Sequence, residues 1–369
     1  MNRIPALDGI RACAIILVVI CHVQVFLHPL SGRLANFCTE VAWSGVYLFF
    51  VLSGYLIGRL ALSEVVSTGD LNVRAFWARR ALRTWPIYYL ALFANYWFVS
   101  HEAAPAPTLW TFLTFTQTFF KMNYFIESWT LSVEELFYLI FPILLFAILR
   151  LPGRSRIGIL CLLVMAVTFL VRYRTGYWLH PFATFDSLFL GVLIAHLEIT
   201  RNRFFRILSS VPSLTLMSGI LLLILLFTFA GPRSINQFQG VLAIGFGLIL
   251  IAVLNPFSFF ARLLSARVLK VIALSSYSTY LSHMFFIRGL VWAHLDHTEP
   301  GTITARVWFF VASIATLGFG WVVYVIIEKP ALRLREILVP RHGSPGPIDV
   351  SMHMEPPLES LNLASEERR

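Results

Sequence analysis

The chain has 369 residues, of which 58% are hydrophobic and 13% charged, and its mean hydropathy is +0.75. A soluble domain carries about 25% charged residues, so this composition excludes one and points to an all-α integral membrane protein embedded in a lipid bilayer. The formal net charge of +10 is not read as a nucleic-acid signature, because the basic residues lie in short stretches between apolar runs and no soluble basic domain is present; the positive-inside rule accounts for them.

Hydropathy predicts about ten transmembrane helices, at residues 10–30, 41–62, 84–100, 131–149, 156–172, 182–198, 212–230, 238–255, 271–292 and 306–327. The first run reads as a retained helix and not a signal peptide: it is long enough to span, contains His22, and no obvious small-x-small cleavage site follows it. The stretch "TLWTFLTFTQTFF" at 108–120 is apolar but only about 13 residues long, which suits an interfacial or re-entrant piece. With the N-terminus inside, 22 of the 29 lysines and arginines fall in inner segments, and every inner loop contributes. Both the N- and C-termini are therefore expected in the cytoplasm. The membrane domain is expected over 1–340, and the Pro-, Ser- and acid-rich residues 341–369 as a disordered cytoplasmic tail. Cys13, Cys21 and Cys161 fall in apolar runs and Cys38 in an expected loop, so no disulfide framework is predicted.

Ionisable residues are expensive in hydrocarbon, and each needs a reason. Arg11 and His22 are eleven residues apart in the first helix, a rotation of about 1,100°, or about 20° past three full turns. They share one stripe, separated by a rise of about 16 Å. Asp8, one turn before Arg11, can pair with it, although such a pair is equally an ordinary helix-start ion pair. His22 reads either as a buried, hydrogen-bonded histidine or as a functional base; its depth, in line with an arginine, favours function.

In "ARRALRTWPIYYL" the residues Arg80 and Arg83 are three apart and project from one side of a helix. The plain reading is a positive-inside cluster; chemically, the pair offers guanidinium groups that grip phosphate bidentately. In "ESWTLSVEELFYLIFP" the residues Ser132 and Glu135 share a face that Tyr138 and Pro142 continue, with Glu134 on another. Adjacent carboxylates here also suit a helix dipole, but Glu135 falls about one turn inside the membrane and is taken as the functional candidate. Asp186 and His283 are further intramembrane polar residues, each readable as structural. "HLDH" (His294 to His297) reads as a solvated loop, and no metal site is expected.

These pieces together resemble the acyltransferase-3 membrane family. "ALDGIRACAIILVVICHV" is similar to its first helix, with an arginine, ten residues and a histidine; "FFVLSGYLI" is similar to its second. "ARRALRTWPIYYL" matches its arginine-x-x-arginine loop, "SWTLSVEELFYLIFP" its tryptophan-serine-leucine-serine-valine-glutamate-glutamate motif, and "SSYSTYLSH" and "IIEKPAL" its last helices. Thr130 stands where serine is common. The resemblance covers residues 3 to 335 and implies O-acyl transfer, usually of acetyl, from cytosolic acyl-coenzyme A to a hydroxyl. Family acceptors include lipopolysaccharide O-antigens, other surface polysaccharides, peptidoglycan, lipo-oligosaccharides and macrolides. It also implies that Arg11, His22, Arg80 and Arg83 are functionally important.

Acyl-coenzyme A is then expected to dock on Arg80, Arg83 and Arg11, and its arm to run along the first helix to His22 as catalytic base or acyl carrier. Glu135 is expected to orient His22 or bind acceptor hydroxyls; Asp8, Ser132, Asp186 and His283 are expected to support. Some family members add an extracellular esterase-like domain, absent from this sequence, so a bare membrane module in a bacterial cytoplasmic membrane is expected. The alternatives are O-acylation of a macrolide or other small molecule, or a proton-coupled secondary transporter. The missing internal repeat argues against the last.

Overall fold

The computed structural model describes residues 4–99, 109–120, 125–153, 155–176, 180–230, 237–293 and 299–338. The architecture rests on α1 (Pro5–Leu27), α2 (Gly45–Thr68), α3 (Val73–Val99), α4 (Trp129–Leu149) and α5 (Arg156–Thr175), followed by α6 (Phe185–Ile199), α7 (Pro212–Phe229), α8 (Gln239–Leu254), α9 (Ser276–Trp292) and α10 (Ile303–Val323); the described residues contain no strand. Each coincides with a segment picked out by hydropathy. Six helical stretches are long and apolar enough to cross a membrane: Pro5–Leu27, Gly32–Thr68, Ile126–Leu149, Arg156–Thr175, Pro212–Phe229 and Ile303–Leu338. The others fall short for physical reasons. α3 carries four arginines in its first turns, α8 is apolar but shorter, and α6 and α9 have 15 and 17 residues.

The molecule is apolar on its outside. Along α7, Leu214, Met217, Leu221 and Ile224 are exposed at helical spacing, as expected of a surface solvated by lipid. The buried volume centres on α1, which packs against α2, α8, α9 and α10. Pro5 starts α1, where a missing N–H is harmless. The helix ends at His28, in a left-handed conformation (φ 48°) with its N–H on Gln24 O. The Gln24 side chain then holds the reversing chain, accepting from Leu30 N at 3.0 Å and donating to Leu30 O at 3.2 Å.

The tightest helix crossing is α2 on α6. A Cβ on Gly54 would overlap Leu188 O, and one on Gly191 would overlap Val51 O. Only glycine permits this approach, which replaces side-chain contact with backbone contact where no hydrophobic force drives association. The proline in α4 is also compensated. Pro142 has no N–H to bond the Tyr138 carbonyl four residues back, and Trp77 Nε1 of α3 donates to that carbonyl instead, at 2.9 Å.

Several expectations shift. α3 begins at Val73, not 84, because the arginine cluster lies inside the helix. Cys38 is not in a loop: it is buried in the π-helical turn Phe37–Val41. The 108–120 stretch is short, as expected, with one helical piece at Leu109–Leu113 and a 3-10 turn at Gln117–Phe119. Tyr88 and Tyr89 of α3 donate to the carbonyls of Phe112 and Leu113, at 2.8 and 3.0 Å. The His294–His297 stretch and the 341–369 tail lie outside the described residues.

Gly54→Ala is expected to destabilise the protein by about 1–3 kcal/mol through overpacking, read as a lower melting temperature in detergent. Gly289→Ala, where a Cβ meets open space, is the control and leaves it unchanged. Trp77→Phe leaves the Tyr138 carbonyl unpaired and is expected to cost about 1–3 kcal/mol in the same assay.

Candidate active site

A cavity of about 340 Å³ lies between α1, α2, α3, α4 and α9, and Arg11, Arg80 and Arg83 all line it. The stripe on α1 and the i,i+3 pair on α3 thus face one space. Their neighbours are neutralised: Arg79 pairs with Glu64 at 3.5 Å and Arg59, also in the lining, with Glu198 at 3.2 Å. Among the described residues Arg11, Arg80 and Arg83 make no ion pair within 4.0 Å. The charge of Asp8 acts on Arg11, as do those of Glu134 and Glu328. Arg80 is flanked by the rings of Phe76 and Tyr138, 5.9 and 5.8 Å from its guanidinium carbon. Three half-buried guanidinium groups with no ion-pair partner among the described residues, converging on one cavity, offer the chemistry that grips a polyanion.

The two carboxylates of α4 divide. One step along a helix turns the side chain by about 100°, and Glu134 is the one that lines the arginine cavity. It accepts from Tyr138 Oη at 3.2 Å. Glu135 accepts from Thr84 Oγ1 at 2.7 Å and Trp85 Nε1 at 3.2 Å. It lines a different, mainly apolar cavity between α3 and α4. Glu135 is therefore placed as a tie between those helices and is not brought to His22. Ser132 is hydrogen-bonded to Thr118 Oγ1, at 2.7 Å, and to the Phe115 carbonyl, so it fastens the 109–120 segment to α4.

At the other end of the cavity Tyr280 Oη meets Thr130 Oγ1 at 2.9 Å and the Glu127 carbonyl at 3.0 Å. His22 does not line the cavity; it stands two rings beyond it, behind Tyr280 and His283. Tyr280 packs on His283 with centroids 5.6 Å apart, and His283 on His22 at 4.8 Å. The Nδ1 of His22 donates to Val18 O at 2.8 Å. In the neutral ring this leaves Nε2 with a free lone pair, the form a general base needs. The structure thus brings His283 to His22. Asp186 goes elsewhere: it is buried against Arg172 at the α5–α6 contact and accepts from Ser187 N at 2.9 Å.

Four residues of the site carried weak sequence signals. Glu134 was masked by its neighbour. Tyr280 sits in the Ser-Tyr-Ser-Thr-Tyr run of α9, and Glu328, which accepts from Ser278 Oγ at 2.5 Å, in the quoted Ile-Ile-Glu-Lys run. Glu127 precedes α4; it is buried, and neither carboxylate oxygen has a hydrogen-bond partner among the described residues. A lone acid at a helix edge next to an apolar run was the available clue for the last two.

Comparisons with known proteins bear on the family of the chain. The family model described as "Acyltransferase domain" matches residues 4–325. A Staphylococcus aureus (strain COL) protein named "Putative O-acetyltransferase SACOL0978" is 28% identical over 370 residues, covering 89% of this chain and 57% of the relative. The "O-acetyltransferase OatA" of S. aureus strain NCTC 8325 is 28% identical over 313 residues, covering 76% of this chain and 50% of the relative. The chain spans about half the length of these relatives. No solved structure matches. With the match running through nearly all the described helices, the chain belongs to the acyltransferase-3 family.

Proposed function

We propose that this protein is an O-acetyltransferase of a bacterial cytoplasmic membrane. It takes the acetyl group from cytosolic acetyl-coenzyme A and delivers it to a hydroxyl of a carbohydrate such as an O-antigen, exopolysaccharide or lipo-oligosaccharide. In this reading the ten helices α1–α10 all cross the bilayer, with both termini cytoplasmic. The shorter ones span because they sit among neighbours that satisfy their polar groups. The observation that carries the reading is the convergence of Arg11, Arg80 and Arg83, with no ion-pair partner among the described residues, on one cavity whose far wall leads to His22.

The donor's phosphates bind the three guanidinium groups, each pair of N–H donors matching two phosphate oxygens. The thioester arm runs along the cavity towards Thr130 and Tyr280 and passes their hydrogen bond to meet His22. There the Nε2 of His22 takes the proton of the acceptor hydroxyl. The oxygen bonds to the thioester carbonyl carbon, the C–S bond breaks, and the thiolate recovers the proton from the imidazolium. Glu135 contributes by position: through Thr84 and Trp85 it sets the turn of α3 that carries Arg80 and Arg83 over the cavity. Glu134 is the carboxylate that meets the arginines, and it keeps the empty cluster from repelling itself apart.

Membranes of expressing cells, given labelled acetyl-coenzyme A, are expected to incorporate label into their glycans. His22→Ala is expected to lower this incorporation by about 10²–10⁴-fold with unchanged amounts of inserted protein; wild-type turnover contradicts the mechanism. The double variant Arg80→Ala, Arg83→Ala is expected to weaken acetyl-coenzyme A binding by at least about tenfold, each charged hydrogen bond being worth about 1.5–3 kcal/mol, as measured by titration of the purified protein. With donor alone, no label is expected to stay on the denatured protein; label that depends on His22 shows that the imidazole carries the acetyl group itself.

A further inference from the structure

His22 and His283 are in ring contact, and each holds its Nδ1 on a backbone carbonyl. The Nδ1 of His22 is 2.8 Å from Val18 O, and that of His283 is 2.6 Å from Tyr280 O. A carbonyl oxygen only accepts, so each Nδ1 carries a hydrogen, and in the neutral rings both Nε2 atoms are lone-pair acceptors. The rings meet edge to face with centroids 4.8 Å apart. His283 is fully buried, and its Nε2 has no hydrogen-bond partner among the described residues. Two acceptors cannot bond each other, and buried polar atoms of folded proteins are nearly always satisfied. What completes the pair is an O–H donor or a proton.

The surroundings are those of a reaction centre and not of an ordinary core. Besides His22 from α1, the charged and titratable groups that act on or touch His283 are Tyr280 and Arg288 of its own helix. The charge of Arg288 acts on both imidazoles and on Glu127. Tyr280 links this group to the arginine cavity, since it lines that cavity and its ring packs, tilted, on His283.

We propose that His22 and His283 act together as a two-base centre, with the acceptor hydroxyl bound so that its hydrogen is offered to both Nε2 atoms. The proposal rests on the acetyl-transfer reading above. In the step, the acceptor O–H bond breaks as the new O–C bond forms to the thioester carbonyl. The proton moves to Nε2 of His22, whose imidazolium then donates to Nε2 of His283, spreading the charge over two rings. As the C–S bond breaks, the same proton passes to the coenzyme thiolate, leaving both rings neutral. His283 thus touches the acceptor hydroxyl and shares its proton, which a space-filling histidine would not do.

The test uses the full chain in membranes of expressing cells, with labelled acetyl-coenzyme A and the endogenous glycans as acceptors. His283→Gln keeps a polar group near the Nε2 position but cannot take a proton. It is expected to lower turnover by about 10²-fold or more while leaving the KM for acetyl-coenzyme A within about threefold. Turnover within threefold of wild type, with His22→Ala inactive, overturns the two-base proposal and leaves the acetyl-transfer reading standing. Turnover in both variants overturns that reading instead. Should the glutamine variant fail to insert, the wild-type protein decides. With its histidines 15N-labelled, the Nε2 resonances of both rings are expected to shift when the glycan acceptor is added, and a shift confined to His22 overturns the proposal.

Discussion

An unpaired ionisable group is costly inside a membrane protein, and that constraint sorts the residues of this molecule. Wherever a charge serves structure, its partner is present. Arg172 meets Asp186 and the Ala183 carbonyl, and Arg59 and Tyr55 both meet Glu198. Glu135 is held by Thr84 and Trp85. Two groups among the described residues lack such partners and adjoin each other through Tyr280. One is the cavity of Arg11, Arg80 and Arg83. The other is the pair of His22 and His283 beyond Tyr280. A folded chain carries such unmet groups at reasonable cost only where a ligand meets them.

α1 runs between the two groups and carries one residue of each, Arg11 and His22, on a single stripe. Tight backbone contact between α2 and α6, made possible by Gly54 and Gly191, forms a rigid wall behind that stripe. α3 and α4 are pinned across their proline-weakened turns by Trp77 and by Glu135. A polyanion bound at the arginines can therefore be read at the histidines without large movement of the helices; the local obstacle is the Tyr280–Thr130 hydrogen bond.

Much of this was legible in the sequence because helical period and hydropathy are local properties. The positions of the long helices, the shared face of Arg11 and His22, and the pairing of Arg80 with Arg83 follow from spacing alone. What was not legible is the rotation of a helix about its own axis once packed. Glu134 and Glu135 are both polar neighbours in an apolar run, and only the tertiary contacts of α4 decide which one meets the arginines and which one ties α3. The same holds for His283, which lies 261 positions from His22 yet ends in ring contact with it. Ser132 and Asp186 stood out for their polarity but are occupied by the 109–120 segment and by Arg172. Local patterning identifies a buried polar residue, and packing alone reveals whether it already has a partner.

The central claim is that one donor molecule connects the arginine cavity to the histidine pair. The most direct measurement is an electron cryo-microscopy map of the full chain with an unreactive ketone analogue of acetyl-coenzyme A. The expected result places the diphosphate between Arg80 and Arg83, and the carbonyl beside His22, within about 2.6–3.2 Å of where an attacking hydroxyl would meet Nε2. Phosphates bound away from those arginines, or a carbonyl that never passes Tyr280, would contradict it.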